Sequence, residues 1–448
     1  MNTDTSNPEK KVLIVAYYWP PSGGSGVQRW LKFVKYLPQT GWKPYVFTPE
    51  NPSFALRDAS LAKDVPAEAE VIRFPIWEPY EAFFKLSGLL GSRKTATPTD
   101  LVAGKSERKP SAFQRISTWI RGNLFIPDPR MFWVRPSVKF LQGYLKAQGI
   151  TTIVTTGPPH SMHLIGYALK RKNPSLTWVA DFRDPWSEWG FLDTLGAGPR
   201  ARRKHQALEK KVITTADRVL TITPFYVRRF EALSGRRVDL VTNGYDEDDF
   251  AGFTVKRVST FIIRHAGIVN EKCDPRPFML ALQEAMAVNA DLAAHVNVDF
   301  TGEVHPAFRA FVEGIPALAR VTTFTASVPH RELMVRYSES AALLIVLEGY
   351  KDAEGYMPGK LFEYLATGLP VLGSGPEDGD AAQLLNETGA GKMIGAANGA
   401  AMRKAILDTF VAWRNPLREG YVPIERCSRR KLTERLAEII SVRVSPRR

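Results

Sequence analysis

The chain has 448 residues, 44% of them hydrophobic and 24% charged, with a formal net charge of +14. This composition is typical of a soluble globular protein long enough for two or three domains. Its two cysteines, Cys273 and Cys427, exclude a disulfide framework and a cysteine metal cluster. No apolar run approaches the ~20 residues of a membrane span, and the polar start indicates no signal peptide, so we expect a cytoplasmic location.

The positive charge is concentrated in one part of the chain. Residues 85–135 contain ten Lys or Arg and three Asp or Glu, which is half of the net excess. Large apolar residues such as Trp119 and Phe132 lie among them. This mixture fits a segment on an anionic membrane surface, and it fits a solvated loop followed by a core helix equally well. Nucleic acid binding is not expected, because no recognised binding motif is present.

The first half of the chain alternates predicted strands and helices. The apolar run at 11–19 predicts a strand, and the stretch PPSGGSGVQR opens the following helix. Gly23 and Gly24 let the backbone approach a ligand beside a helix N-terminus. The stretch is not the GxGxxG fingerprint, so a plain tight turn is the alternative. Further strands are predicted at 44–48, 71–74, 150–156, 178–182, 218–223 and 239–243.

Polar residues follow two of these strands at the end where open parallel sheets bind ligands. His160 comes after 150–156, with a local hydrogen bond at a helix start as its alternative role. Asp181, Arg183 and Asp184 could bind acceptor hydroxyl groups or pair with each other.

Two acidic runs raise the question of a metal site. The runs lie at 246–249 and 378–380. Both have the setting of solvated turns, so no metal site is predicted at either.

The most informative stretch is 354–370, EGYMPGKLFEYLATGLP, between predicted strands at 341–347 and from 371. Pro358 and Gly368 predict the two ends of a helix. Lys360 and Glu363 are three residues apart on one helix face. A cation near the helix start and a carboxylate one turn deeper could hold a phosphate and a ribose diol. An ordinary surface ion pair explains the same spacing.

The run PGKLFEYLATGLPVL resembles the donor-binding helix of family-4-like retaining glycosyltransferases of the GT-B fold, and the resemblance covers most of the chain. It implies an α/β protein with two doubly wound parallel-sheet (Rossmann-like) domains facing a cleft. Residues 1–250 would form the acceptor-binding domain, with a basic insertion at 83–135. Residues 251–424 would bind the nucleotide sugar, and 425–448 would carry a helix that crosses back to the first domain.

The resemblance also implies roles at the sugar end of the donor. The family glutamate that matches Glu363 holds the nucleotide ribose. Glu354 is one residue out of step with the glutamate that lies near the donor sugar, and Glu348 and Asp352 are its fallbacks. A histidine near the position of His160 contacts the same sugar in related enzymes.

Basic groups around the donor diphosphate are implied in the same way. In the family an arginine follows the glycine that matches Gly267, and here Ile268 occupies that place. Lys272 or Arg276 must then meet the diphosphate together with Lys360.

On the acceptor side, the loop with Gly23 and Gly24 looks like the family's N-terminal loop, which faces donor phosphates and acceptor. The stretch with Asp181, Arg183 and Asp184 resembles the acceptor side of the cleft.

The expected function is sugar transfer with retention from a UDP- or GDP-sugar to a glycan or lipid-linked acceptor in cell-surface polysaccharide or glycolipid synthesis. We expect no metal and no further cofactor, and a peripheral position at the inner face of the cell membrane. The alternatives are a GT-B sugar-nucleotide epimerase and a non-catalytic anionic glycolipid-binding protein. A NAD-dependent enzyme would share the sheet but lacks the fingerprint.

Overall fold

The computed structural model describes residues 9–54, 56–79, 112–188, 191–347, 349, 352–414 and 424–442. These residues form two compact units. The first reaches to Thr242 and takes in the chain again from Arg429, and the second is Asn243–Ser428. Each unit contains one parallel β-sheet.

Seven strands form the sheet of the first unit in the order β3-β2-β1-β4-β5-β6-β7, and every neighbouring pair is parallel. The order reverses between β1 and β4, which makes this pair the topological switch point. The strands are β1 Lys10–Val15, β2 Trp42–Pro49, β3 Glu70–Phe74, β4 Thr152–Gly157, β5 Thr177–Phe182, β6 Arg218–Thr221 and β7 Asp239–Leu240.

Helices cover both faces of this sheet. Alternate residues of β1 show this, because Val12 and Ile14 belong to one hydrophobic cluster while Leu13 and Val15 belong to another. The last helix, Arg429–Ser441, packs on the Ser25–Tyr36 helix in the cluster of Val12. The helices of this unit are Ser25–Tyr36, Ala112–Asn123, Met131–Gln148, Ser161–Lys172, Phe191–Thr194, Pro199–Thr215, Pro224–Ser234 and Arg429–Ser441.

Six parallel strands form the second sheet in the order β10-β9-β8-β11-β12-β13, so its switch point lies between β8 and β11. The strands are β8 Phe261–Ala266, β9 Val296–Thr301, β10 Thr322–Thr325, β11 Ala342–Val346, β12 Val371–Ser374 and β13 Gly391–Ile394. The helices are Arg276–Val288, Ala290–His295, Pro306–Glu313, Pro316–Ala319, His330–Ser338, Gly359–Thr367, Asp380–Thr388 and Gly399–Arg414.

Two doubly wound parallel sheets confirm the predicted fold class. The prediction for the first strand was too long, since residues 16–19 are irregular although three of the four are buried. β13 was not predicted, because GKMI contains only two apolar residues. Most of the basic insertion at 83–135 lies outside the described residues, which resume at Ala112. Among the described helices, none has both the length and the apolar character needed to cross a bilayer.

Candidate functional site

Lys360 lies at the switch point of the second sheet. Its helix, Gly359–Thr367, follows the loop after β11, and the extended residue Pro358 precedes the first turn. Gly368 ends the helix with φ of 71°, as its sequence predicted. Ligands of open α/β sheets bind beside the carboxyl ends of the strands at such a point, so this helix start is a candidate ligand site.

The Lys360 ammonium reaches across to the end of β8. Nζ donates to the carbonyl oxygen of Ala266 at 3.1 Å and lies 3.5 Å from Nε2 of His265. Gly267 follows with φ of +127°, a conformation that favours glycine. A Cβ at Gly267 would lie 3.3 Å from Nζ. Glycine at this position therefore permits the turn and leaves room beside the ammonium of Lys360.

The side chain of His265 lies against the Lys360 ammonium. The imidazole is fully buried, and Nδ1 lies 3.0 Å from the carbonyl oxygen of Leu344 in β11. Because a carbonyl only accepts, Nδ1 carries the proton and Nε2 is left as an acceptor toward Lys360. Burial, and then the Lys360 charge, lower the pKa of His265 far below its usual value, so the ring stays neutral. Burial also lowers the pKa of Lys360, while Cys273 and Glu363 oppose that shift.

Tyr364 fixes the same helix to β8. Its phenolic oxygen accepts the backbone N–H of Ala266 at 3.0 Å. Lys360 and Tyr364 are one helical turn apart, and they engage the N–H and C=O of a single strand residue. The helix start therefore has a fixed position relative to Gly267.

The remaining predicted donor residues also lie in the second unit. Glu363 is 29% exposed, and its Oε1 lies 3.5 Å from Nε2 of His330. Lys272 is exposed, and its backbone carbonyl accepts the N–H of Gly349 at 3.1 Å. Nε of Arg276 lies 3.3 Å from Oδ2 of Asp274. Arg276 thus has an acidic neighbour on its own loop, whereas no ion pair of Lys272 is seen among the described residues.

Glu354 lies in a short turn, Ala353–Gly355, and its side chain is exposed. A Cβ at Gly379 would lie 2.9 Å from the carbonyl oxygen of Glu354, so this turn rests on the start of the Asp380–Thr388 helix. The fallback Glu348 lies outside the described residues, and Asp352 precedes the turn.

At the switch point of the first sheet, Arg183 connects the start of the Ser25–Tyr36 helix with the end of β4 and the residue after it. Its Nη1 donates to the carbonyl of Gly26 at 2.7 Å, Nη2 to that of Pro158 at 2.5 Å, and Nε to that of Gly157 at 3.2 Å. Arg183 is therefore a structural clamp as well as a half-buried cation. Burial raises the pKa of the adjacent Asp184, and the Arg183 charge opposes this.

The glycine-rich loop itself is tightly placed. Gly23 donates its N–H to the carbonyl of Leu56 at 3.0 Å, and a Cβ there would lie 3.0 Å from Cγ of Leu56. Gly24 has φ of 82° and is exposed. Backbone conformation favours glycine at position 24, while at Gly23 a larger side chain would crowd the side chain of Leu56.

No protein-family model and no curated protein sequence matches the chain, whereas solved structures match it over nearly its whole length. WaaG, a glycosyltransferase involved in lipopolysaccharide biosynthesis, is 15% identical, with 96% of this chain and 99% of WaaG covered and a TM-score of 0.53. A UDP-forming α,α-trehalose-phosphate synthase from Burkholderia xenovorans is 11% identical, with 97% and 100% covered and a TM-score of 0.57. A protein described as a UDP-N-acetylglucosamine 2-epimerase from Listeria monocytogenes is 12% identical, with 97% and 96% covered and a TM-score of 0.53.

These matches agree with the two doubly wound sheets and their strand orders. The chain has the GT-B fold. Identities of this size establish the architecture, and the activity of this protein is a separate question.

Asp181, one of the residues predicted to bind acceptor hydroxyl groups, lies in a buried polar network of the first unit. The side chain is fully buried and accepts from Nε and Nη2 of Arg29 at 3.2 and 2.9 Å. It also accepts from Nε1 of Trp30 at 2.7 Å and Oγ1 of Thr156 at 3.0 Å. Burial is the largest single influence and opposes its ionisation, but Arg29, the Trp30 hydrogen bond and the Arg183 charge together hold the pKa of Asp181 below its usual range.

His160 is likewise inaccessible. The imidazole is 4% exposed and stacks on Trp186 with 5.0 Å between ring centroids and 3° between planes. Neither ring nitrogen has a hydrogen-bond partner among the described residues, and neither is exposed. The residue predicted to contact the sugar is therefore buried, with both ring nitrogens away from the surface of the first unit. Burial, and then His163, lower the pKa of His160 far below its usual value.

These buried histidines predict acid sensitivity of the folded protein. Burial lowers the pKa of His163 to about 3 and that of His205 to about 4. As the pH falls below ~6.5, the unfolded chain binds protons that the folded chain refuses, so stability is lost toward the folded pKa. We expect each such histidine to lower the free energy of unfolding by up to about 1.4 kcal/mol per pH unit. Urea unfolding at several pH values measures the slope, and a His163→Phe variant with the wild-type slope would contradict this.

Two further polar clusters in the first unit were missed by sequence reasoning. The Tyr17 hydroxyl donates to both carboxylate oxygens of Glu78 at 3.0 Å, and Nε of Arg130 lies 3.0 Å from Oε1 of Glu78. Asp128 accepts the backbone N–H of Ser161 at 2.9 Å, which caps the helix after β4. Both Asp128 and Arg130 belong to residues 126–130, IPDPR. This stretch therefore contacts the segment after β3 through Glu78 and the segment after β4 through Ser161.

A cavity of about 570 Å³ in the second unit lies away from these residues. It is lined by residues at the amino ends of β8 and β9, including Thr260 and Val296. GT-B sheets are parallel, and their ligands belong at the carboxyl ends, so we do not assign the donor to this cavity. Within the described part of the chain, no group of three or more His, Cys, Asp or Glu could hold a metal ion.

Proposed function

We propose that this protein is a glycosyltransferase that moves a sugar from a UDP- or GDP-sugar to a glycan or lipid-linked acceptor, with retention and without a bound metal. The observation that carries the proposal is the position of Lys360 over Gly267 at the switch point of the second sheet. Glu363 follows one turn later on the same helix. Glycosyltransferases among the matching structures support the assignment, and the lipopolysaccharide role of WaaG supports an acceptor in cell-surface synthesis.

The donor diphosphate would meet the first turn of the Gly359–Thr367 helix. Its unpaired N–H groups and the Lys360 ammonium would stabilise the negative charge that grows as the nucleoside diphosphate departs. Lys272 would add a second cation from the loop after β8. Glu363 would accept from the ribose hydroxyl groups, and Glu354 would contact the sugar. Retention needs no paired carboxylates in this scheme, because no covalent glycosyl-enzyme intermediate is proposed.

The acceptor would bind to the first unit at the ends of β1 and β5. The exposed backbone at Gly24 and the half-buried carboxyl of Asp184 would contact its hydroxyl groups. Arg183 would hold the surrounding loops and offer its remaining N–H groups. Asp181 would act only through Arg29 and Trp30, which it positions.

The test is a thermal-shift screen of UDP-, GDP- and ADP-sugars, followed by analysis of products with candidate acceptors. A ligand at one hundred times its Kd stabilises by about 2.7 kcal/mol. We expect one nucleotide class to raise the melting temperature and its sugar to be transferred in the presence of EDTA. Activity that EDTA abolishes and manganese restores would contradict the metal-free mechanism.

Replacing Glu363 with glutamine tests the ribose contact. The change keeps the size and removes a charge-assisted hydrogen bond of roughly 1.5–3 kcal/mol. Donor binding should weaken by about one to two decades while the melting temperature stays near the wild-type value. Calorimetry measures the affinity, and Glu332→Gln on the neighbouring helix is the matched control. Unchanged donor affinity in Glu363→Gln would remove the assignment.

A sugar-nucleotide epimerase is the second candidate function. The Listeria protein described as a 2-epimerase shares this fold, and Asp184 offers a carboxyl whose pKa is raised by burial. An epimerase would convert the sugar nucleotide with no acceptor present. Incubation with the donor alone and separation of the products distinguish the two reactions.

An exposed apolar surface in the first unit supports membrane binding as part of the proposal. Trp77 is 59% exposed and contacts Phe132 with ring centroids 5.0 Å apart. Ile116 and Trp119 lie one turn apart on the Ala112–Asn123 helix, and Trp119 is 53% exposed. Basic residues of the first unit accompany them at Arg115, Arg121, Arg135 and Lys139. Such a surface suits the anionic inner face of the cell membrane. A non-catalytic glycolipid-binding protein would have the same surface but would not turn over a donor.

Vesicle binding should follow both the charge and the aromatic residues. Each basic residue near an anionic surface contributes on the order of 1 kcal/mol, so high salt should release the protein. Trp119→Ala should weaken binding to phosphatidylglycerol vesicles by about tenfold. Deleting 93–109, which lies outside the described residues, should abolish it. Val288→Ala, an exposed apolar change in the second unit, is the control. Equal binding to phosphatidylcholine vesicles would contradict the electrostatic part.

A further inference from the structure

We propose that His330 is a positioning residue for the donor ribose, because it holds the Glu363 carboxylate in the orientation that accepts the ribose hydroxyl groups. The inference rests on the proposed function, since it concerns the same site. Neither the spacing within the helix of Lys360 nor the family resemblance points to His330, which belongs to another helix.

The contact joins two helices of the second unit at the surface. His330 is the first residue of the His330–Ser338 helix, which follows β10 and its loop. Its Nε2 lies 3.5 Å from Oε1 of Glu363, and the two side chains are 40% and 29% exposed. A ligand can therefore reach both groups, and neither is locked in a core.

The helix of Glu363 does not supply this restraint itself. Lys360, three residues earlier, would be the usual partner on the same face, but its ammonium is engaged by Ala266 and lies against His265. Tyr364 also turns toward Ala266. The carboxylate of Glu363 is thus held from the neighbouring helix instead.

Recognition of the ribose diol is helped when one oxygen of the Glu363 carboxylate is fixed in position. A carboxylate has two oxygens with about four acceptor positions, so a contact at Oε1 leaves Oε2 and further positions for a ligand. A glutamate side chain otherwise loses rotamer freedom when a ligand binds. By restricting the side chain beforehand, His330 should strengthen binding of an intact ribose by about three- to tenfold.

The test compares a nucleoside diphosphate with its 2′-deoxy and 3′-deoxy counterparts by titration calorimetry. UDP, GDP and ADP are tried first, and the one that binds the wild type most tightly is used. We expect the wild type to lose at least about tenfold in affinity when the ribose loses a hydroxyl group contacted by Glu363. Glu363→Gln should remove most of this preference.

His330→Ala should reduce the same preference by about three- to tenfold and leave affinity for the deoxynucleotide unchanged. His330→Gln keeps an N–H donor, so it should restore much of the preference. Val335→Ala, an exposed change on the same helix, should match the wild type. A merely structural role would weaken both nucleotides equally, and that result, or an unchanged preference in His330→Ala, would overturn the inference. Failure of every nucleoside diphosphate to bind the wild type would overturn the proposed function with it.

Discussion

Replacing Asp181 with alanine is expected to lower the free energy of unfolding by about 3–5 kcal/mol, because Arg29 would be left buried without its counter-charge. Arg29 is 1% exposed, and its only carboxylate partner among the described residues is Asp181. Trp30 and Thr156 would each lose an acceptor as well. Denaturant unfolding of the purified variant measures the loss.

A matched control comes from an exposed ion pair in the same unit. Nη1 of Arg435 lies 2.9 Å from Oε2 of Glu438, and both side chains are largely in solvent. Glu438→Ala should change stability by less than about 1 kcal/mol. If Asp181→Ala cost no more than this control, Asp181 would not be the centre of a buried network, and acceptor binding would again be its better role.

The sheets could be predicted because their strands are buried on both faces. A parallel strand covered by helices is a nearly continuous apolar run, and β11 shows this with five buried residues in ALLIV. The helix after it was predictable for a different reason. Pro358 fixes its φ before the first turn and Gly368 permits the left-handed conformation that ends the helix, and such local effects are visible without tertiary context.

The partners of charged residues could not be predicted in the same way. Asp181 binds Arg29, which lies 152 positions away, and spacing within one motif cannot show such a pair. The hydrogen bonds of Arg183 go to the backbone carbonyls of Gly26, Gly157 and Pro158, and its neighbours Asp181 and Asp184 interact with its charge at longer range. Asp181 is buried although it lies at the end of a strand, so position at a strand end does not by itself show that a polar residue faces a ligand.

His265 illustrates a second limit. Within the strand FIIRHA it follows Arg264 in an otherwise apolar run, and a buried histidine there has no functional signature. Its role depends on its contacts with the Leu344 carbonyl and the Lys360 ammonium, and these two residues become neighbours of His265 only through the order of the strands. The same order makes Gly267, Lys360 and Tyr364 neighbours.

Lys360→Ala is expected to reduce turnover by about a hundredfold and to leave acceptor binding nearly unchanged. Charge on the leaving diphosphate grows in the transition state, so removing a cation there costs more in kcat than in ground-state affinity. Loss of one preorganised charge-stabilising donor typically costs 10²–10³ in rate, or roughly 2.7–4 kcal/mol. Steady-state kinetics with saturating donor and varied acceptor separate the two quantities.

The structure also supplies the controls for this experiment. Lys360 packs against His265 and Ala266, so a Lys360→Met variant, which keeps the aliphatic stem, separates loss of charge from loss of packing. Lys272→Ala removes an exposed cation from the loop after β8 and should cost less, because its ammonium is not held in place by described groups. Full activity of both Lys360 variants would move the phosphate contact to Lys272 or Arg276. Equal losses of turnover in all three variants would instead indicate a diffuse positive field. The fixed ammonium of Lys360 should otherwise contribute more than the ammonium of Lys272.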